Sequence, residues 1–197
     1  MKTIVAFDFD GTLTKKDSFW EFIKFTKGKS ALFLSLPFLL VVWVKMNLNL
    51  ISRDEAKEEV FNYFFKGMTI EEFNKSGSNF KDRIDQFLRS QSLATIKKYD
   101  EDDTETIIVS ASIENWIRPW ANSVGIETVL ATKVDVNNDG LLTGKFSTKN
   151  CRNQEKVDRL LNRFPDRQSY HLIAYGDSNG DKELLEFSNQ HYMKYIR

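Results

Sequence analysis

Short apolar runs alternate with longer amphipathic stretches along the chain, and this alternation predicts an α/β protein. Residues 4–7 form a continuous apolar run, which is typical of a strand covered by helices on both faces. Residues 106–110 and 169–175 are also strand-like, and residues 128–136 and 141–146 are strand-like runs on either side of a polar turn. Because helical patterns separate most of these runs, we expect a doubly wound, mainly parallel sheet.

The longest helical stretch is an insertion into this alternating pattern. Residues 15–100 are helical in pattern almost throughout, with a capping-box sequence at residues 52–55 and a second helix start at Thr69. We therefore predict a Rossmann-like core made of residues 1–14 and 101–197, and an inserted all-helical cap made of residues 15–100.

Residues 31–44 are almost wholly apolar. This run of 14 residues is shorter than the roughly 20 that a helix needs to cross a bilayer, and Pro37 would bend it, so no spanning helix is expected. A buried cap helix, a dimer contact and a segment lying in a membrane interface all remain open. Lys27, Lys29 and Lys45 flank the run, which would suit an anionic membrane or the apolar tail of a substrate.

Charge and cysteine content limit which binding partners and which cellular compartment are expected. The 28 Lys and Arg residues balance 28 Asp and Glu residues, so no overall basic field exists to attract nucleic acid. Cys151 is the only cysteine, which excludes an intramolecular disulfide and agrees with a reducing compartment. No signal-peptide pattern opens the sequence. We therefore expect a cytoplasmic protein, which residues 31–44 could bring to a membrane surface; its oligomeric state stays open.

Polar side chains follow three of the predicted strands. The carboxyl ends of parallel strands lie along one edge of a sheet, where open α/β sheets bind ligands. The residues concerned are Asp8 and Asp10, Ser110, Asp177 and Asp181, together with Lys156 on a predicted helix. Carboxylates at one edge repel one another, and a hard divalent cation such as Mg²⁺ would offset that repulsion. Hydroxyl, backbone N–H and ammonium groups could hold phosphate oxygens, so the pattern predicts Mg²⁺-dependent phosphoryl transfer.

A second acidic cluster resembles part of a calcium-binding loop. Asp135, Asn137, Asp139 and Gly140 match the first half of such a loop, but Phe146 occupies the position that needs a bidentate Glu. The flanking runs are also strand-like rather than helical. We therefore interpret these residues as a hairpin turn.

Four sequence motifs together resemble those of the haloacid dehalogenase superfamily. They are Asp8-Phe9-Asp10-Gly11-Thr12-Leu13-Thr14, Val109-Ser110-Ala111-Ser112, Lys156, and Gly176-Asp177-Ser178-Asn179-Gly180-Asp181. The helical insertion between the first and second motifs resembles the cap of the branch that includes phosphoserine phosphatase. The chain is also similar to a subgroup of that branch that includes phosphatidylglycerophosphate phosphatases. The resemblance covers essentially the whole chain.

This resemblance implies a role for each motif residue. Asp8 would be the nucleophile that forms an aspartyl-phosphate, and Asp10 would be the general acid and base. Asp8, the backbone carbonyl of Asp10, and Asp177 would bind Mg²⁺, with Asp181 supporting the metal site from behind. The expected phosphate-binding groups are Thr12, Ser110, Ala111 and Lys156.

Two departures from the family pattern concern the substrate. The Glu that recognises the amino acid in phosphoserine phosphatase is replaced here by Asp17, and Gly180 stands where an Asn is common. We therefore expect a small phosphate ester or a lipid phosphate rather than phosphoserine. A phosphotransferase with the same mechanism, and a catalytically idle phosphate-binding or membrane-peripheral protein, are the alternatives.

Overall fold

The structure, a computed structural model, describes residues 2–100 and 102–196. Its strands are β1 (Lys2–Phe7), β2 (Thr104–Ile113), β3 (Thr128–Thr132), β4 (Val134–Val136), β5 (Leu142–Phe146), β6 (Tyr170–Gly176) and β7 (Gln190–Met193). Its α-helices are α1 (Ser18–Leu34), α2 (Leu36–Asn47), α3 (Arg53–Phe65), α4 (Ile70–Asp85), α5 (Ser92–Lys97), α6 (Glu114–Ser123), α7 (Gln154–Arg163) and α8 (Lys182–Phe187).

Five parallel strands form the central sheet, in the order β3-β2-β1-β6-β7. Ile4, Val5, Ala6 and Phe7 of the middle strand β1 are fully buried. Val5 and Phe7 belong to one apolar cluster and Ile4 and Ala6 to another, because successive side chains of a strand point to opposite faces. The prediction of a mainly parallel α/β sheet is confirmed.

Helices α1 to α5 all lie between β1 and β2 in the chain. Ser52 caps α3 through the predicted capping box with Glu55, and Thr69 caps α4. Helix α4 then packs so closely on α6 that a Cβ atom at Gly77 would clash with the Asn115 carbonyl oxygen. The division into a core and a cap stays a prediction, and its boundary at residue 101 lies outside the described residues.

Two parts of the sheet differ from the sequence pattern. Strand β2 continues three residues beyond Ser110, with a register irregularity between Ser110 and Ile113. Residues 128–136, read as one run, divide between β3 in the sheet and β4, which pairs with β5 in the antiparallel hairpin. Gly28 interrupts α1 with a positive φ of 80°, a conformation that glycine adopts without strain.

Residues 31–44 span the end of α1 and most of α2. The two helices meet at an angle of 87°, and Pro37 lies in the first turn of α2, where its missing N–H costs no hydrogen bond. Considered singly, the described helices are too short or too polar to cross a membrane; α1 and α2 qualify by length and composition only when joined across their bend. Ser35 and Val42 are buried within residues 31–44, whereas Phe33 is 72% exposed.

Candidate active site

Asp8 lies directly after β1 and is bound from three sides. Its backbone N–H donates to the Tyr175 carbonyl at 2.9 Å, which continues the sheet beyond Phe7. The buried ammonium of Lys156, on α7, donates to Asp8 Oδ1 at 2.6 Å. The Thr12 hydroxyl lies 3.3 Å from Asp8 Oδ2. The carboxylate is thereby fixed at the carboxyl end of the central strand.

Lys156 joins the first and last motifs. Its other two hydrogen bonds go to Asp181 Oδ1 at 2.5 Å and to the Val109 carbonyl at 2.8 Å. All three ammonium donors are therefore satisfied. Asp181 in turn accepts from the backbone N–H groups of Asp177 and Ser178. This network fixes the loop after β6 against the end of β1.

Asp8, Asp177 and Asp181 each place a carboxylate oxygen within 4.8 Å of the others. Thr12 Oγ1 also lies 3.3 Å from Asp177 Oδ1. Gly11 turns the chain here with a φ of 85°, and a Cβ atom on it would collide with the Asp177 carboxylate. A hard divalent cation suits these clustered oxygen donors.

The pKa values of these acids are shifted by burial and by the charges of their neighbours. Burial raises the pKa of Asp8 to about 7, against the opposing effect of Lys156. Burial and then repulsion from Asp181 raise the pKa of Asp177. Burial would also raise the pKa of Asp181, but Lys156 and the Ser178 donors lower it overall. Burial alone would lower the pKa of Lys156, but the charges of Asp8 and Asp181 raise it above the usual range for a lysine.

Asp10 lies on the same cavity wall as Asp8 but has different partners. Its Oδ1 accepts from the Ser18 backbone N–H at 2.8 Å, and its Oδ2 lies 3.0 Å from Ser18 Oγ. Burial, with repulsion from Asp17 second, raises the pKa of Asp10 to about 8. Asp10 is therefore largely protonated at neutral pH, which is the state that a proton donor needs.

Ser18 is a functional residue that the sequence reasoning missed. In the sequence it stands only at the start of a helical pattern, next to Asp17, which caps α1. Ser18 Oγ instead lies 2.7 Å from Ser112 Oγ and accepts from Trp116 Nε1 at 3.1 Å. Ser18 thereby links Asp10 to the segment that follows Ser110.

Ser110 and Ala111 lie within β2 and line the cavity with Asp8. Ser110 Oγ accepts from the Ser112 backbone N–H at 3.0 Å. The Ala111 carbonyl accepts from Thr132 Oγ1 at 2.7 Å and from Lys57 Nζ at 2.5 Å. Helix α3 is thus bound to the second motif through Lys57, whose position in a helical pattern gave no sign of this contact.

The cavity above these groups has a volume of about 610 Å³. One part of its wall is acidic and carries Asp8 and Asp10. Another part is apolar and comes from helices α1 to α3: Phe19, Trp20, Leu39, Val42, Trp43, Met46 and Val60. Side chains from the helical insertion therefore define what can occupy the space next to Asp8.

Two comparisons identify the family of the chain. A family model described as haloacid dehalogenase-like hydrolase matches residues 5–186. Protein CicA of Caulobacter vibrioides is 32% identical over 198 residues, covering 98% of this chain and 86% of the relative. The chain belongs to the haloacid dehalogenase-like hydrolase family. The resemblance indicated by the four motifs is confirmed, and so is the prediction of a hydrolase.

Solved structures agree with this assignment at the level of the fold. A protein of unknown function from Bordetella pertussis Tohama I has a TM-score of 0.82 at 19% identity, over 97% of this chain and 89% of that one. A phospho-aspartyl intermediate analogue of phosphoserine phosphatase has a TM-score of 0.66 at 16% identity, over 96% and 85% of the two chains. The expected likeness to phosphoserine phosphatase is therefore present in the fold.

Proposed function

We propose that the protein is a Mg²⁺-dependent phosphomonoester hydrolase that works through an aspartyl-phosphate on Asp8. The observation that carries this proposal is the contrast between two neighbouring acids. Asp8 is ion-paired with Lys156, which opposes the rise in its pKa, whereas Asp10 accepts a hydrogen bond from Ser18 and its pKa is raised to about 8. One carboxylate is thus suited to attack phosphorus, and the other to donate a proton.

Asp8 and Asp10 divide the reaction into two steps. In the first, an Asp8 oxygen bonds to phosphorus, the bond to the ester oxygen breaks, and Asp10 gives its proton to that oxygen. In the second, Asp10 removes a proton from water, which attacks phosphorus and releases Asp8 and inorganic phosphate. Thr12 and Ser110 would hold the phosphoryl oxygens, together with the backbone at Ala111, and the positive charge of Lys156 would offset their negative charge.

The acidic cluster fits the expected cation. Asp8, Asp177 and Asp181 offer oxygen donors close together, and repulsion from Asp181 contributes to the raised pKa of each of the other two. We propose that Asp8, Asp177 and the Asp10 backbone carbonyl hold Mg²⁺, with Asp181 positioned behind them by Lys156. When bound, Mg²⁺ would neutralise charge on the phosphoryl group.

The cavity wall favours an ester with an apolar portion. Leu39, Val42 and Val60 line the same space as Asp8, and burial of apolar atoms against them would stabilise such a substrate. Asp17, which replaces the amino-acid-recognising Glu, is itself engaged in capping α1. We therefore propose a small phosphate ester or a lipid phosphate, rather than phosphoserine, as the substrate.

We further propose that residues 31–44 touch a membrane surface at its periphery. Their exposed apolar side chains are Phe33, Leu34, Leu36, Leu40, Val41, Trp43 and Val44. Trp43 also lines the cavity, so the exposed face continues into the proposed substrate site. An anionic membrane is favoured by the flanking lysines.

A panel of phosphate esters tests the reaction class. Purified protein is incubated with phosphoserine, sugar phosphates, short alkyl phosphates and lipid phosphates, with Mg²⁺ or with excess chelator, and inorganic phosphate is measured. We expect release that requires Mg²⁺ and is greatest for the apolar esters. Full activity in chelator would reject the metal, and no release from any ester would favour the idle phosphate-binding alternative.

The phosphotransferase alternative is tested in the same assay. An acceptor alcohol such as glycerol is added, and the new ester is measured beside inorganic phosphate. A hydrolase releases inorganic phosphate as the main product whether or not the alcohol is present. Predominant transfer to the alcohol would instead support the phosphotransferase.

A further inference from the structure

Several charged side chains that line the cavity have no part in the proposed chemistry: Asp17, Arg53, Asp54, Lys57 and Arg152. Of the three cations, Arg53 is exposed and Arg152 lies 3.6 Å from the Asp54 carboxylate. Lys57, on α3, lines the cavity that holds Asp8 and Asp10. Its ammonium donates to the Ala111 carbonyl at 2.5 Å and to Asn150 Oδ1 at 3.1 Å. Both acceptors are neutral, and an ammonium carries three donors. Among the described residues, one N–H of Lys57 therefore remains to bind another group.

The charge of Lys57 is only partly compensated. Within residues 2–100 and 102–196, it takes part in none of the ion pairs. The rings of Phe19 and Phe146 lie 5.7 and 5.6 Å from its Nζ, and such contacts favour a cation. Burial lowers the pKa of Lys57 to about 8, so the side chain is still protonated at neutral pH. A half-buried cation of this kind favours an anionic partner.

The location of Lys57 indicates which part of a substrate it would meet. Lys156 already neutralises Asp8 on the core side, whereas Lys57 comes from the helical insertion. Asp10 and Asp17 are the carboxylates whose charges act most strongly on Lys57. Because Asp10 is the proposed proton donor to the ester oxygen and lines the same cavity as Lys57, we infer that Lys57 faces the leaving group.

We propose that Lys57 binds an anionic group carried by the leaving group of the substrate. The inference rests on the proposed phosphatase function and narrows its substrate class. The substrate would be a phosphate monoester whose leaving group combines an apolar segment, packed against Leu39 and Val60, with a negative charge of its own. A carboxylate and a phosphodiester both meet this requirement, because each offers oxygen acceptors to an ammonium.

A purely structural role for Lys57 makes a different prediction. The side chain joins α3 to Ala111 and Asn150, so it could serve only to hold the helical insertion against the sheet. Loss of that contact would weaken the binding of every ester by a similar factor, whether or not its leaving group is charged. The ratio between a charged and an uncharged ester therefore separates the two roles.

The experiment uses three esters of matched length. Hexyl phosphate is the neutral reference, 6-phosphooxyhexanoate carries a terminal carboxylate in place of the methyl group, and a third ester ends in a methyl phosphodiester. Binding is measured by calorimetry on the Asp8→Asn protein, in which hydrolysis is blocked. The same protein is compared with versions that also carry Lys57→Met, Lys57→Arg or Lys66→Met. The last removes one positive charge from an exposed site and serves as the matched control.

We expect at least one anionic ester to bind about ten times more tightly than hexyl phosphate, and the preference to vanish in Lys57→Met. Lys57→Arg should recover part of it, and Lys66→Met should keep it. Which of the two anionic esters binds better identifies the anion. The proposal would be overturned if Lys57→Met weakened the binding of all three esters equally, or if the parent protein did not prefer an anionic ester over hexyl phosphate. Turnover by the wild type is measured separately, so that a failure to hydrolyse any ester rejects the phosphatase function and not the binding role.

Discussion

At the scale of single residues, the site depends on a lysine whose three hydrogen bonds each reach a different motif. Lys156 contacts Asp8 from the first motif, Val109 from the second and Asp181 from the fourth. A buried ion pair adds little net stability compared with apolar packing, but loss of one partner leaves an uncompensated charge. Lys156 therefore determines whether the carboxylates can remain close together.

Replacement of the proposed nucleophile should abolish turnover. In Asp8→Asn the amide keeps the shape of the carboxylate but is a poor nucleophile and a poor metal ligand. We expect phosphate release to fall by several orders of magnitude, with an unchanged circular dichroism spectrum. Asp82→Asn, at an exposed site, is the control and should keep full activity. Retention of more than about a tenth of wild-type turnover in Asp8→Asn would contradict the covalent role.

Loss of the buried lysine should destabilise the metal-free protein. In Lys156→Met, Asp8 and Asp181 lose their shared cation, and we expect the free energy of unfolding in chelator to fall by about 3–5 kcal/mol. Chemical denaturation measures this value. Without Lys156, the pKa values of Asp8 and Asp181 should both rise, because Lys156 lowers them in the wild type. The loss of stability should therefore be greater at pH 8, where these buried carboxylates are charged in the unfolded chain and costly to bury, than at pH 5, where the folded variant can hold them protonated.

The control for this experiment is Lys182→Met, which removes an exposed lysine that lies 3.8 Å from Glu186. An exposed pair contributes at most about 1 kcal/mol. Mg²⁺ should restore part of the lost stability in Lys156→Met, since a cation can replace the missing charge. A loss no larger than that of Lys182→Met would show that the carboxylates do not need the lysine.

The order of strands and motifs in the sequence predicts that the motif residues meet at one edge of the sheet, but it does not predict which side chains from other segments they contact. Asp8 and Asp177 follow buried strands, and parallel topology brings such strand ends together. Ser18 and Lys57 lie in helical patterns that show which face is apolar but not which residue each polar side chain meets. Their contacts with Asp10 and Ala111 depend on how the helical insertion docks, which spacing along the chain does not specify.

At the scale of elements, nearby residues predict where helices start better than they predict where strands end. Ser52 and Thr69 cap their helices through side-chain contacts within four residues, so nearby residues suffice to predict them. The division of residues 128–136 has no such local cause. Strand β3 pairs with β2, and β4 with β5, so partners distant in the chain decide where one ends and the next begins.

The contact between α4 and α6 should tolerate no added atom at Gly77. Gly→Ala in a helix interior normally stabilises by about 0.5–1 kcal/mol. At Gly77 the new Cβ atom would meet the Asn115 carbonyl, so the helices must separate. We expect Gly77→Ala to lower the free energy of unfolding by about 1–3 kcal/mol, as overpacking does. Ser78→Ala, at the next and exposed position, should be near neutral; equal effects of the two substitutions would contradict this close packing.

At the scale of the whole molecule, α2 contributes side chains both to the cavity wall and to the exposed surface. Leu39, Val42 and Met46 line the cavity, while Leu40 and Val41 are 60% and 54% exposed. Contiguous apolar surface on a protein of this size commonly marks an interaction site. The 87° bend between α1 and α2 lets a short segment present an apolar face outward while its other face closes the substrate space.

The last prediction concerns this outward face. Leu40→Glu, Val44→Glu places two carboxylates on exposed positions of α2 that do not line the cavity. If residues 31–44 bind an anionic membrane, cosedimentation with vesicles that contain phosphatidylglycerol should occur for the wild type and be lost in the variant. The physical cause is twofold, since apolar contact is removed and charge repulsion is added. Hydrolysis of a short alkyl phosphate should be unaffected, because the cavity wall is intact.

The control for the vesicle experiment must add the same charge elsewhere. Leu93→Glu, Val136→Glu replaces two exposed apolar residues outside α2 and should leave vesicle binding unchanged. Equal, negligible binding by the wild type and both variants would reject the membrane contact, and a dimer seen by light scattering in the wild type but not in Leu40→Glu, Val44→Glu would assign the face to a second copy instead. Loss of vesicle binding in that variant alone, together with lower turnover of vesicle-embedded lipid phosphate but not of the short ester, would assign residues 31–44 to delivery of a lipid substrate to Asp8.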